Sequence, residues 1–317
     1  MAVVALAAAA GYVVRVATRE DSGAARAVPP RDALRQAMAT KPFVVYQHVA
    51  RDDHYAEIAL GPADAPRSRT LYTGLVCERV YFSGGRGLCL MPRQETLQQA
   101  VNARIFGLDF RPVRTVRLDG LRSRARVSPG GRYGAATTFV TGHSYRDAGF
   151  STYTALIDMA RGKLLANLEQ FEVRRDGKRF DRIDFNFWGV TFGRDERRFY
   201  ATLSTGGKFY LVEGDVQTRR ARVIADRVEC PSLSPDETRI AFKRRQGRNW
   251  RLYVLELATG REIPLAETRS VDDQVEWLDD ERILYGLVQD VWVVRADGGG
   301  RPRVYIRNAL SPAVVRS

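Results

Sequence analysis

From Phe43 onward, β-branched and aromatic residues come in short runs punctuated by Gly, Asp and Pro, and no run keeps a helical period. That pattern predicts strands joined by tight turns. The clearest unit is Pro231-Ser-Leu-Ser-Pro-Asp-Glu-Thr-Arg-Ile-Ala-Phe242, read as strand, turn and strand. A polar loop over Lys243 to Asn249 follows, then an apolar run Trp250 to Leu257, the turn Ala258-Thr-Gly260 and a last strand Arg261 to Leu265. Four antiparallel strands in about 40 residues make one blade of a β-propeller.

The unit recurs. Ser83, Ser128, Gly193, Ser234 and Leu278 take equivalent places at its first turn, at spacings of 45, 65, 41 and 44 residues. The long interval predicts one blade with an insertion of about 20 residues, part of which is Thr141 to Phe150. The second turn repeats as Ala160-Arg-Gly162, Ala258-Thr-Gly260 and Ala296-Asp-Gly298. At the ends, Phe43-Val-Val-Tyr46 looks like a second strand lacking a first, and Ser311-Pro-Ala-Val-Val315 like a first strand lacking a second. Together they complete one blade. The expectation is an all-β, six-bladed propeller of four-stranded antiparallel blades over 41–317, closed by a C-terminal strand that completes the first blade; closure removes open sheet edges.

Ser234-Pro-Asp-Glu-Thr-Arg-Ile-Ala-Phe242 followed by Leu252-Tyr-Val-Leu-Glu-Leu-Ala-Thr-Gly260 resembles the TolB-type, WD-like six-bladed propeller repeat of bacterial envelope proteins. The whole chain also resembles an actinobacterial group of TolB-like translocation proteins. The resemblance implies a six-bladed propeller and an envelope location.

Upstream of the repeats, Ala2 to Val14 is an uncharged apolar run ended by Arg15. Thirteen residues are too few for a spanning helix, which takes about 20. The run suits a signal peptide or membrane anchor over 1–17, with Ala8-Ala9-Ala10 as a candidate cleavage site and a start upstream of Met1. Residues 18–40 read as a linker and a short helix, Asp32 to Thr40. The expected protein is thus extracytoplasmic, secreted or anchored through its N-terminus, and monomeric.

Charge adds less than its size suggests. There are 50 Lys and Arg against 37 Asp and Glu, a formal +13, and only five of the basic residues are lysine. The arginines are scattered among acids, as in Arg194-Asp-Glu-Arg-Arg198, without the clustered or aromatic-interleaved pattern of a nucleic-acid module. They read as dispersed, solvated surface charge. Nucleic acid is not the expected partner; a protein or an envelope component is. Of three cysteines, Cys77 and Cys89 flank a predicted hairpin. A turn centred on Gly84-Gly85-Arg86 would pair Cys89 near Tyr81 and leave Cys77 further along the strand. A disulfide would then need a bend, so a bond in an oxidising compartment and two buried thiols both stay open. Cys230 reads as a core residue.

No catalytic signature is present. Gly142-His-Ser-Tyr-Arg146 lacks the second glycine of a nucleophile elbow. The segment His48-x-x-x-Asp52-Asp53-His54 holds metal-capable groups without the ligand pattern of a closed zinc site. The functional signal is positional. In a propeller, the second-to-third turns and the blade linkers surround one mouth of the central channel. That rim collects His143, Tyr145, Arg146, Asp184, Asn186, Trp188, Glu229, Asp272, Asp273 and Gln274. Aromatics, Arg and acids on one rim suit a binding interface. Phe185, Phe187 and Trp188 read more as packing between blades, and Asp184, Asp272 and Asp273 as facing solvent or the channel, where a divalent cation could sit. The expectation is a non-catalytic binding platform with no cofactor. The alternative is an enzyme with a metal-assisted hydrolase or lactonase site at the channel mouth.

Overall fold

The first turn of each repeat holds itself together. In the clearest one, Ser234 Oγ donates to Asp236 (2.5 Å), which accepts from the Thr238 amide (3.0 Å), and the Arg239 amide donates back to Ser234 Oγ (3.0 Å). In another, Ser128 Oγ accepts from the Tyr133 amide at 2.9 Å. Asp195 and Asp279 do the same work without a serine, accepting from the amides of Arg198 and Arg282 at 2.8 and 2.7 Å. Short polar side chains that bond their own backbone favour such turns over helix.

The computed structural model describes residues 29–39, 42–66, 68–93, 99–140 and 151–316. Six sheets form the ring. Blade 1 contains β1 (Phe43–His48), β2 (Glu57–Pro62) and β3 (Leu71–Val76). Blade 2 is β4 (Arg79–Ser83), β5 (Arg86–Pro92), β6 (Ala100–Phe106) and β7 (Pro112–Asp119). Blade 3 is β8 (Leu121–Val127), β9 (Tyr133–Val140), β10 (Ser151–Asp158) and β11 (Lys163–Asn167). Two further strands, β12 (Glu172–Arg175) and β13 (Lys178–Phe180), precede blade 4. Blade 4 proper is β14 (Asn186–Phe192), β15 (Arg198–Thr205), β16 (Lys208–Asp215) and β17 (Arg220–Asp226). Blade 5 is β18 (Glu229–Leu233), β19 (Arg239–Gln246), β20 (Asn249–Glu256) and β21 (Glu262–Pro264). Blade 6 is β22 (Glu276–Trp277), β23 (Arg282–Leu287), β24 (Asp290–Arg295) and β25 (Arg303–Ile306).

The last strand, β26 (Ala309–Val315), returns to blade 1 as its innermost strand, with Phe43 opposite Val315 and Val45 opposite Ala313. The predicted closure is therefore the one observed. Successive first turns are also linked on the face away from the strand starts. Ser83 Oγ donates to the Pro129 carbonyl (3.2 Å), Glu196 accepts from the Gly130 amide, Glu237 from the Arg194 amide (2.5 Å), and Asp280 from the Asp236 amide (3.0 Å).

The blades meet through buried apolar clusters. Phe82 lies against Phe43, Phe106 and Phe110, with ring centroids 5.5–6.4 Å apart. The helix α1 (Arg31–Ala39) adds Leu34 and Met38 to that cluster, one turn apart on its buried face. Gly87 faces Phe106 across the ladder, and a Cβ there would stand 1.9 Å from the ring; Gly214 makes the same room for Phe199 at 2.3 Å.

One expectation is completed and one corrected. Residues 141–150 lie outside the described residues, and the extra length before blade 4 continues beyond them. Part of it builds the 3-10 turn Leu168–Gln170 and the hairpin β12–β13, whose β12 adds in parallel to the outer strand β17 and turns blade 4 into a six-stranded sheet. Phe171 and Val173 bury there, so the addition covers an edge that would otherwise be open. The β4–β5 turn is also tighter than expected. Gly84 and Gly85 alone form it, so Cys89 faces Val80, one residue short of the predicted partner. Cys77, at the bend between β3 and β4, is joined to Cys89 by a disulfide with Cα atoms 5.6 Å apart. Cys230 is free and buried.

Candidate functional site at the channel mouth

Alternate residues of a strand share a face. On β8, past a bulge between Arg122 and Arg124, this puts Arg124 and Arg126 on one face, descending from the rim into the channel. These are not solvated surface charges, as scattered arginines suggested; Arg124 and Arg126 keep 16% and 6% of their side-chain surface exposed.

Arg126 closes the throat. Its Nη1 lies 2.5 Å from Glu276 of β22, and its Nη2 donates to the Val275 carbonyl at 2.7 Å and to Ser232 Oγ at 3.3 Å. Its guanidinium lies 4.5 Å over the ring of Tyr81, whose hydroxyl donates to Glu276 at 3.2 Å. The Val314 amide reaches the same carboxylate at 3.3 Å. Gln274 Nε2 spans to the carbonyls of Val190 and Pro231 at 3.0 and 2.8 Å. Every blade contributes a group, so the axis is filled by a paired, hydrogen-bonded plug. Burial beside Glu276 pushes the Tyr81 hydroxyl up to about 12, keeping it a donor.

Above the plug is a polar cup. Arg79 of β4 and Arg124 both donate to the Ser123 carbonyl, at 3.1 and 3.2 Å. Arg124 also donates to the Asp272 carbonyl (3.3 Å) and lies 3.9 Å from Asp273. Lys243 of β19 is paired with Asp272 and sits 4.3 Å over the Trp250 ring. Glu229 is 4% exposed, and its carboxyl takes no hydrogen bond from the described residues. Burial pushes it up to about 7, with Lys243 opposing and Asp272 reinforcing the shift.

The residues expected at the rim divide by function. Glu229, Asp272 and Asp273 come together in the cup, and Gln274 lies just below them. Asp273 also accepts from the Gly286 amide at 2.9 Å. Asp184 is instead engaged with its own blade, accepting from Thr205 Oγ1 (2.5 Å) and the Gly206 amide (2.7 Å). Asn186 accepts from the Thr152 amide at 2.8 Å and so ties blade 4 to blade 3. Trp188 is buried, edge-on to Phe209, as packing requires. His143, Tyr145 and Arg146 lie outside the described residues. His48 and His54 both lie against Tyr72 but pair with different acids, His48 with Asp52 (2.8 Å) and His54 with Glu57 (2.9 Å). Among the described residues no three His, Cys, Asp or Glu side chains are grouped to hold a metal.

Sequence reasoning missed Arg79, Tyr81, Arg124, Arg126, Lys243 and Glu276. The available signal was the Arg124-x-Arg126 alternation in a strand predicted to line the axis, where charge needs a partner.

The same face carries exposed apolar side chains. Ile183, in the linker before β14, is 97% exposed and Val288, in the β23–β24 turn, 87%. Leu121 and Phe139, opposite one another at the ends of β8 and β9, are exposed as well.

No protein-family model and no curated protein sequence matches the chain. Solved structures do match. TolB from Acinetobacter baumannii aligns with a TM-score of 0.60 at 15% identity, covering 89% of this chain and 70% of that one. The chain has a TolB-like propeller fold. A putative TolB from Agrobacterium tumefaciens gives 0.51 at 12% identity, over 86% of this chain and 92% of that one. A chain from a nidogen/laminin complex gives 0.54 at 10%, over 86% and 97%. At these identities the likeness is one of fold. Among the described residues of this TolB-like propeller, no helix is long and apolar enough to cross a membrane.

Proposed function

We propose that the protein is a non-catalytic, extracytoplasmic binding platform, secreted or held at the membrane by its N-terminal segment, and that a protein or other envelope component docks on the channel-mouth face. The observation that carries this is the filled channel. Above the Arg126–Glu276–Tyr81 plug lie the charged groups of the cup, and Leu121, Phe139, Ile183 and Val288 are exposed on the same face, a composition suited to an interface with a polar centre and apolar anchors. The Cys77–Cys89 disulfide and the apolar run at Ala2 to Val14 support an oxidising location. The TolB-like fold and the likeness to a chain solved in a nidogen/laminin complex support a protein partner. A hydrolase or lactonase reading needs several channel acids with open positions for a cation; here Asp272 is taken by Lys243 and Asp273 by Gly286 and Arg124, which leaves Glu229 alone.

The test is affinity capture from an envelope extract with the wild-type chain, the mouth-face variant Ile183→Asp/Val288→Asp, and Leu164→Asp on an outer strand. Loss of the same partners from the mouth-face variant alone is expected. Equal recovery by all three would place the interface elsewhere.

A further inference from the structure

We propose that the cup holds one carboxylate group of a bound partner, an acidic side chain or a chain terminus, between the guanidinium groups of Arg79 and Arg124. The proposal rests on the channel-mouth face being the docking face.

The geometry is that of two cations brought to one point. Arg79 Nε and Arg124 Nη1 share the Ser123 carbonyl oxygen, so the two forks stand side by side on adjacent inner strands. Like charges so close require an anion or a strong reason for its absence. Arg124 has a distant carboxylate, Asp273 at 3.9 Å, and its Nε is buried without an acceptor. Arg79 has less. Among the described residues its guanidinium meets the Ser123 carbonyl and, at 3.5 Å, Ser311 Oγ, and no carboxylate pairs with it. Burial, and then Arg124, hold its basicity below the ordinary value, against Asp273 and Asp272, which act on it from beyond ion-pair distance.

Arginine forks suit planar carboxylates and phosphates alike. The surroundings choose between them. Asp272, Asp273 and Glu229 border the cup, and three acids oppose a dianion more than a monoanion. Glu229 faces Lys243 from β19, Asp272 from the linker before β22, and Arg245 at the end of β19. In its protonated form it removes one of those negative charges, so a carboxylate should bind better when Glu229 holds its proton.

The test uses acetate as the probe on the full chain. Thermal unfolding is followed in about 0.1 M sodium acetate and in sodium chloride of equal ionic strength, for wild type, Arg79→Met, Arg79→Lys and the exposed control Arg161→Met. Acetate over chloride is expected to raise the Tm of wild type and Arg161→Met by about 2 °C. The rise should vanish in Arg79→Met and largely vanish in Arg79→Lys, which keeps the charge without the fork. It should also be larger near pH 6 than near pH 8. If Arg79→Met does not fold, Arg79→Lys decides. No acetate-specific rise in wild type, or one that survives both Arg79 substitutions, overturns the proposal. A larger rise with inorganic phosphate overturns the choice of carboxylate. Acetate binding with unchanged partner capture would defeat the docking face alone. Lost capture without acetate binding would defeat the carboxylate site alone.

Discussion

Glu229 opens an inner strand, has almost no surface, and lies between an occupied lysine and a second acid. Its carboxyl is raised to about 7 from 4.5, chiefly by burial. A raised acid binds its proton more tightly in the folded state. Its contribution to stability is therefore full below about pH 4.5 and lost as pH climbs to about 7, by up to about 3 kcal/mol. Glu229→Gln should remove that slope. Urea midpoints of the variant should be flat between pH 5 and 8 against a falling wild type, and higher than wild type at pH 8. A parallel fall in both proteins would assign the slope to another group.

At the scale of the element, the first turns combine two demands that oppose each other. Glu196 and Glu237 occupy left-handed backbone, φ 63° and 62°, where blade 3 has Gly131 at φ 73°. Each glutamate spends its side chain on the neighbouring blade; Glu237 accepts from the Arg194 amide and, at 2.6 Å, from Arg198 Nη2. Glu237→Ala keeps the strained backbone and loses both bonds, a loss of about 1–2 kcal/mol. Glu237→Gly loses the bonds but relieves about 1 kcal/mol of strain. Chemical denaturation should rank wild type above Gly and Gly above Ala. If Ala matches Gly, the left-handed turn carries no strain. The turns themselves were readable from Ser, Pro, Asp and Gly at a fixed spacing. The hairpin β12–β13 was not, because its strands are short and β12 pairs with β17, almost fifty residues on.

In the whole molecule, closure depends on two devices: the returning strand β26 and the plug on the axis. Glu276 and Arg126 come from opposite sides of the ring, and both are almost fully buried. Removing one partner strands the other. Glu276→Gln should cost about 3–5 kcal/mol, while the double change Arg126→Met/Glu276→Leu, which removes both charges, should cost clearly less. Equal costs by equilibrium unfolding would mean that the pair is not coupled.

The number of blades, the order of their four strands and the way the ends meet were legible in the chain; the added hairpin β12–β13 was not. They rest on local rules: alternation within strands, turn residues at fixed spacing, and half-blades at either end. The candidate site was only half legible. Glu229, Asp272, Asp273 and Gln274 could be placed at the mouth because strand starts share a face. That Asp184 is held by Thr205 and Gly206, and that Arg124 and Arg126 of β8 turn inward, could not. The inward turn of the arginines depends on which group stands across the channel, about 150 residues away for Arg126 and Glu276. Local pattern decides where a side chain's strand lies. Whether its charge is solvated, paired or left without a partner is decided when the ring closes and the six inner strands meet.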